Sequence, residues 1–204
     1  MRLLLFFFLS VQLLYAQQLV DRGVFEVCYS EKKQQPLWLE YEVACHTKVY
    51  DRKGLDFKQD KSFKGVTSDE NDYHKNVWDK GHLAPAAAFN CDYESLKATF
   101  SYLNCALQHE KLNRGPWKDL EAYERELSKT YKVNVRIELE FDSQSLLLET
   151  GALVPSFFRK IISYNKIQRV FRFPNNTSVY KRKWQNYEVY EPFKITEGCK
   201  EYSF

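Results

Sequence analysis

Glycine and proline are scarce in this 204-residue chain, at 7 and 6 residues, which excludes a collagen, a mucin-like stalk and a linker-rich array. Beyond its first 16 residues the chain has no apolar run approaching the roughly 20 residues that span a bilayer. It also lacks internal repeats and low-complexity tracts. A net charge of only +3 gives no bulk attraction for a polyanion, so phosphate or nucleic-acid binding would need a locally basic patch. What is present is 44% hydrophobic and 28% charged residues, the balance of a globular chain long enough to bury a core.

The N-terminus stands apart. Arg2, an apolar run from Leu3 to Leu14, and Tyr15-Ala16-Gln17 have the order of a secretory signal peptide cut near Ala16, too short for a span and with a small residue at the cut. The expectation is a single domain over residues 17–204, secreted or periplasmic and free of the membrane. Cys28, Cys45, Cys91, Cys105 and Cys199 all lie in that exported part, where disulfides form readily. The odd number leaves at least one thiol over, and spacing does not choose the pairing. Cys91, Cys105 and His109 lack the paired C-x-x-C spacing of a zinc site. A free thiol paired with a histidine leaves a cysteine hydrolase as a weak rival reading.

Periodicity gives a mixed set of elements. Residues 37–43 alternate as a strand. Residues 50–77 are polar and aperiodic, a long surface loop of the kind that often carries binding or catalysis. Asp92 or Ser95 caps a short helix ending near Ala98, and residues 100–106 follow as a strand. Trp117, Leu120, Tyr123, Leu127 and Tyr131 recur at three and four, predicting a helix that starts near Pro116. Residues 133–140 and 151–155 are expected as strands, 157–163 as a short helix capped by Ser156, and 187–193 as a last strand. Without regular βαβ alternation the class is α+β.

Two segments set polar groups among core-like ones: Asp79-Lys80-Gly81-His82-Leu83-Ala84-Pro85, and Leu112-Asn113-Arg114-Gly115-Pro116-Trp117 with Glu121 and Arg125. Asn113, Trp117, Glu121 and Arg125 are four apart and share one helical row. In a straight helix Asn113 and Glu121 would lie about 12 Å apart, too far for both to ligate one ion, so one acts through water unless Pro116 bends the entry. Taken singly, His82 reads as a structural histidine and Glu121–Arg125 as a surface ion pair. The basic run Lys181-Arg182-Lys183 reads equally as a solvated face or a backbone-binding patch. Asn175 and Asn176 both begin N-x-[ST] sequons.

DKGHLAPAAAF and FSYLNCALQHEKLNRGPWKDLEAYER resemble the two signature segments of the DNA/RNA non-specific endonucleases, the secreted ββα-metal (His-Me finger) nucleases. PLWLEYEV and GALVPSFFRKII extend the likeness over most of the mature chain. The resemblance implies a mainly antiparallel central sheet flanked by helices, and an Mg²⁺-dependent enzyme (Mn²⁺ as an alternative) that hydrolyses DNA and RNA to 5′-phosphate ends. It implies His82 as general base, Asn113 as the protein ligand of the metal and Glu121 on metal-bound water, with Lys80 and Arg125 in the catalytic set. Arg52, Lys58 and Arg114 are the candidate contacts to backbone phosphates. Lys80 replaces the family's arginine and loses its bidentate fork, Leu107 replaces a proline, and the family's upstream loop arginine has no clear counterpart. Those departures keep a second expectation open, a catalytically inactive relative that binds nucleic acid or protein.

Overall fold

Alternating apolar positions build a seven-stranded sheet in the computed structural model of the chain, whose described residues are 17–143, 145–190 and 199. The spatial order is β1 (Gln17–Asp21), β2 (Glu26–Ser30), β3 (Gln35–Glu42), β6 (Asn134–Glu140), β7 (Phe157–Tyr164), β8 (Ile167–Pro174) and β9 (Glu188–Val189), each neighbour antiparallel. Between β3 and β6 the chain leaves the sheet. That excursion forms a two-stranded ribbon, β4 (Trp78–His82) with β5 (Cys105–His109), and the helices α1 (Tyr93–Ala98), α2 (Glu110–Leu112) and α3 (Lys118–Ser128). The class is α+β with a mainly antiparallel sheet, as expected. The expected signal segment, residues 1–16, and residues 191–193 of the last strand lie outside the described residues.

One sheet face and the excursion share the main core. Val135, Ile137 and Leu139 of β6 and Phe158 and Ile162 of β7 are buried with Leu112, Trp117 and Leu120. Trp117 makes edge contacts with Phe158 at 5.5 Å and Phe173 at 5.8 Å between ring centroids, so the helix stripe read from spacing is anchored at its N-terminal end. Tyr131, at the other end of the stripe, is exposed.

Three expected elements differ. Residues 157–163 form strand β7, not a helix: Ser156 is no N-cap, and its N–H donates to the Glu140 carbonyl at 2.9 Å across the sheet. The charged pair Arg159-Lys160 hides the strand's alternation, because both side chains are buried against acidic partners. The strand expected over 100–106 starts only at Cys105, since Ser101 caps a tight 3₁₀ turn, Tyr102–Asn104, by accepting from the Leu103 N–H. Residues 151–155 make only an isolated bridge, Leu153 to Leu147.

A disulfide closes the excursion on itself and Asn175 pins it to the sheet. Cys45 pairs with Cys91 and Cys28 with Cys199, leaving Cys105 buried and reduced. The Cys45–Cys91 bridge closes a sequence separation of 46 around the long loop and β4, a constraint on the unfolded chain worth about 4 kcal/mol in the loop-entropy description. Asn175 is buried and fully committed. Its Oδ1 accepts from the His109 N–H at 2.7 Å, and its Nδ2 donates to the Leu107 and Pro155 carbonyls at 2.9 Å each. Its sequon is therefore structural, whereas Asn176 is exposed and caps the turn Thr177–Val179. Asn175→Ala strands a buried N–H and two carbonyls. It is expected to cost about 2–4 kcal/mol, a Tm loss of about 2–4 °C per kcal/mol, against under about 1 kcal/mol for Asn176→Ala. Thermal unfolding of the two variants side by side checks this.

Candidate active site

The ribbon, the long loop and α3 enclose a cleft of about 950 Å³ lined by residues from all three. The ribbon strands on its wall pack closely. A Cβ on Gly81 would stand 2.6 Å from Gln108 Cβ, so this position admits only glycine without displacing the neighbouring strand.

His82 ends β4 on the cleft wall. The Phe57 and Phe100 rings lie against the imidazole with centroids at 4.5 and 4.8 Å, and Nε2 is buried with no hydrogen-bond partner. Burial, and then the positive charge of Arg52, push its pKa down to about 3. The ring is neutral at physiological pH, with a nitrogen available to accept a proton. A phosphodiester anion placed beside it would raise the pKa toward the ordinary range.

Asn113 reaches the cleft from the other side. Its Nδ2 donates to Asp79 Oδ2 at 2.9 Å. A carboxylate tolerates only the donor end of the amide, so the carbonyl Oδ1 is the end that Asp79 leaves unengaged. Asp79 also takes both Arg114 Nε at 2.8 Å and Nη2 at 2.6 Å. The chain between α2 and α3 is not a straight helix: residues Asn113–Trp117 form a wider turn broken at Gly115 (φ −110°, ψ −120°), followed by Pro116. The segment is therefore not the straight helix on which the expected separation rests, and Asn113 and Glu121 both line the cleft.

Glu121 is half-buried. Desolvation, opposed by Lys160 and reinforced by Glu124, pushes its pKa up to about 7. Beneath it, Lys160 on the core face of β7 donates to Glu124 Oε1 at 2.7 Å, and the Tyr41 hydroxyl donates to Glu124 Oε2 at 2.6 Å. The Lys160 ammonium also lies 3.9 Å from the Trp117 ring centroid. This buried triad fixes the helix that carries Glu121, and residue spacing alone gave no sign of it.

Of the other expected site residues, Arg52, Lys80, Arg114 and Arg125 line the cleft. Lys58 does not: it is exposed, and its backbone is tied to Phe100 and Tyr102. Lys80 is held by Asp56 at 3.2 Å and by Glu70. Burial opposes its charge, but hydrogen bonds to Glu70 and Asp56 outweigh this and hold its pKa above the usual lysine value. Arg52, Arg125 and the additional Lys118 have no ion-pair partner among the described residues, so three unneutralised cations face the cleft. Glu121 and Arg125 do not form the surface pair that their spacing allows. Asp79 and the aromatic wall, Phe57 and Phe100, were not singled out from sequence, although Asp79 sits in the first motif. The Cys105 thiol is buried against Tyr73 at 3.2 Å and its pKa is raised by that burial, which removes the cysteine-hydrolase rival. Among the described residues no three His, Cys, Asp or Glu side chains gather as metal ligands.

A histidine-bearing ribbon laid beside a helix that presents a carboxylate, with an amide on the turn leading into it, to one basic cleft defines the fold class, that of the ββα nucleases. A family model described as DNA/RNA non-specific endonuclease matches residues 10–198, and the chain belongs to that family. It is 32% identical over 118 residues to the mitochondrial Endonuclease G of Bos taurus, covering 56% of this chain and 40% of that protein. It is 34% identical over 127 residues to the mitochondrial nuclease of Saccharomyces cerevisiae, covering 58% and 37%. The matched stretch thus spans well under half of these curated relatives. The crystal structure of an EndoG/EndoGI complex superposes with a TM-score of 0.73 at 24% identity over 84% of this chain and 79% of that one, a likeness of fold. These relatives correct one expectation. They are named as mitochondrial proteins, which overturns the secreted or periplasmic location inferred from the apolar N-terminal run.

The buried triad generates a stability prediction. Lys160→Met removes the ammonium partner of the buried Glu124, leaving it only the Tyr41 hydroxyl, and is expected to cost about 3–5 kcal/mol. In a Tyr41→Phe background, the double replacement Glu124→Leu with Lys160→Met is expected to recover most of that loss. Urea-unfolding midpoints across the cycle measure it, and a single-variant loss under about 1 kcal/mol would contradict a buried charge pair.

Proposed function

We propose that the chain is a divalent-metal-dependent endonuclease, folded as one domain, that hydrolyses phosphodiester bonds of DNA and RNA with little sequence preference. The observation that carries this reading is the convergence on one basic cleft of two unlike residues, His82 with an unpartnered Nε2 and Asn113 with its Nδ2 held by Asp79.

The donor set suits Mg²⁺, or Mn²⁺ in its place: an amide oxygen oriented by Asp79, with the Glu121 carboxylate placed to hold a coordinated water. When bound there, the cation would neutralise a phosphate oxygen and stabilise the departing alkoxide. The chain's own groups perform the rest. His82 accepts the proton of a water as that oxygen bonds to phosphorus, and the proton ends on the imidazole. The bond from phosphorus to the 3′ oxygen breaks, leaving a 5′-phosphate and a 3′-hydroxyl that takes its proton from solvent. Arg52, Arg125 and Lys118 grip the backbone on either side, contacts that position the strand without reading bases. Lys80, already engaged by two carboxylates, is better placed to fix the long loop against the ribbon than to hold a phosphate. In location, the relatives point to the mitochondrion rather than to export.

The test is nicking of a supercoiled plasmid and digestion of RNA with Mg²⁺ and with chelator. His82→Ala is expected to lower the rate by about 10²–10⁴ with an unchanged circular dichroism spectrum and retained DNA binding. Asn113→Ala is expected to raise the Mg²⁺ concentration needed for half-maximal rate. A folded His82→Ala protein that cuts at the wild-type rate defeats the role of the histidine. A wild-type protein that binds DNA but never cuts it supports an inactive binder instead.

A further inference from the structure

Outside the cleft, the basic run Lys181-Arg182-Lys183 is exposed and follows Tyr180, itself 56% exposed. The Tyr180 ring has Lys181 Nζ at 5.2 Å and Lys111 Nζ at 5.4 Å from its centroid. Its turn is rigidly seated. Val179 is fully buried, the Arg182 N–H donates to the Val179 carbonyl at 3.1 Å, and the Tyr180 N–H donates to the Thr177 carbonyl at 3.0 Å. Lys181 has φ +58°, a left-handed conformation that a lysine adopts only at a cost.

A chain of ion pairs links this surface to the cleft. Lys111 pairs with Glu110 at 2.7 Å, and Glu110 pairs with Arg114 at 3.3 Å. Arg114 is already a cleft residue. A strand leaving the cleft past Arg114 would meet Lys111 and then the tyrosine ring.

We propose that Tyr180, flanked by Lys111 and Lys181, is a stacking platform for an unpaired base of the nucleic-acid strand, with Lys181, Arg182 and Lys183 meeting the adjoining phosphates. The proposal rests on the nuclease reading for its substrate class. An aromatic ring carried on a rigid turn and bordered by flexible ammonium groups offers what an unpaired nucleotide presents, a π face and a nearby phosphate. A base taking the ring face displaces an ammonium onto its own phosphate. A duplex cannot use the ring, because its bases are already stacked on one another. A membrane is the poorer fit, since a lone tyrosine among lysines has no apolar face to insert.

The experiment measures fluorescence anisotropy of a labelled single-stranded deoxythymidine oligonucleotide and of a duplex of equal length, both in chelator, against wild type, Tyr180→Ala, Tyr180→Phe and the triple change Lys181→Ser, Arg182→Ser, Lys183→Ser. Tyr180→Ala is expected to weaken single-strand binding about tenfold or more, to spare duplex binding, and to be rescued by Tyr180→Phe. The triple change is expected to weaken both and to flatten the salt dependence. Hydrolysis of bis(para-nitrophenyl) phosphate with Mg²⁺, too small to reach the turn, is expected to be equal in all four proteins. Unchanged single-strand binding by Tyr180→Ala, an equal loss on duplex, or Tyr180-dependent binding to phosphatidylserine vesicles in place of the oligonucleotide overturns the proposal. Failure of wild type to hydrolyse the small diester or any nucleic acid would instead count against the nuclease reading, while the binding data still decide the platform.

Discussion

The Asp79 carboxylate is the joint on which the site depends. It stands on β4 three residues before His82 and accepts hydrogen bonds from Asn113 and Arg114, which belong to the turn leading into α3. One side chain therefore fixes the ribbon to the helix entry and orients the Asn113 amide. Without it, the Asn113 amide would lose the acceptor that selects its orientation, and Arg114 would keep only its pairing with Glu110. The strength of the joint comes from ionic hydrogen bonds made in a partly desolvated place, where such bonds are about twice as strong as neutral ones.

The joint works because the layer beneath it does not yield. Trp117 fills the space under the broken turn, wedged between Phe158 and Phe173 and capped by the Lys160 ammonium. Lys160 in turn is neutralised by Glu124, one turn beyond Glu121 along α3. A lysine on the core face of a strand would be destabilising alone. Here its charge lies close enough to temper the protonation of Glu121, so the burial that raises the Glu121 pKa is opposed by a fixed positive charge from the sheet. The interior thereby sets the electrostatics of the cleft as well as its shape.

Legibility in the sequence followed from how local each signal was. Strand β3, helix α1 and strand β6 obey short-range periodicity or a cap, and their positions match the pattern to within a residue or two. The two motifs carry His82 and Asn113 outright, and both do line one cleft. What was hidden depends on distant partners. Strand β7 reads as a capped helix because Arg159 and Lys160 look solvated until Glu138 and Glu124 are placed beside them. The break at Gly115, set by a glycine and a proline inside an otherwise helical pattern, is not visible in the four-residue spacing of Asn113, Trp117 and Glu121. Lys58 has the charge of a phosphate contact, yet its backbone bridge to Ser101 keeps it outside the cleft.

The pairing of Lys80 gives the ribbon lysine a structural place in the site. An arginine there would present a planar fork able to meet a phosphate bidentately. The lysine instead sits between Asp56 and Glu70, with its ammonium 6.0 Å from the Tyr102 ring centroid, and closes the long loop onto the ribbon. That loop brings Phe57 against His82 and Arg52 to the cleft mouth. With Lys80 neutralised by Asp56 and Glu70, the charge that the cleft presents without an ion-pair partner comes from Arg52 on the loop and from Lys118 and Arg125 on the helix, so the cleft keeps its basic character although the ribbon lysine is engaged.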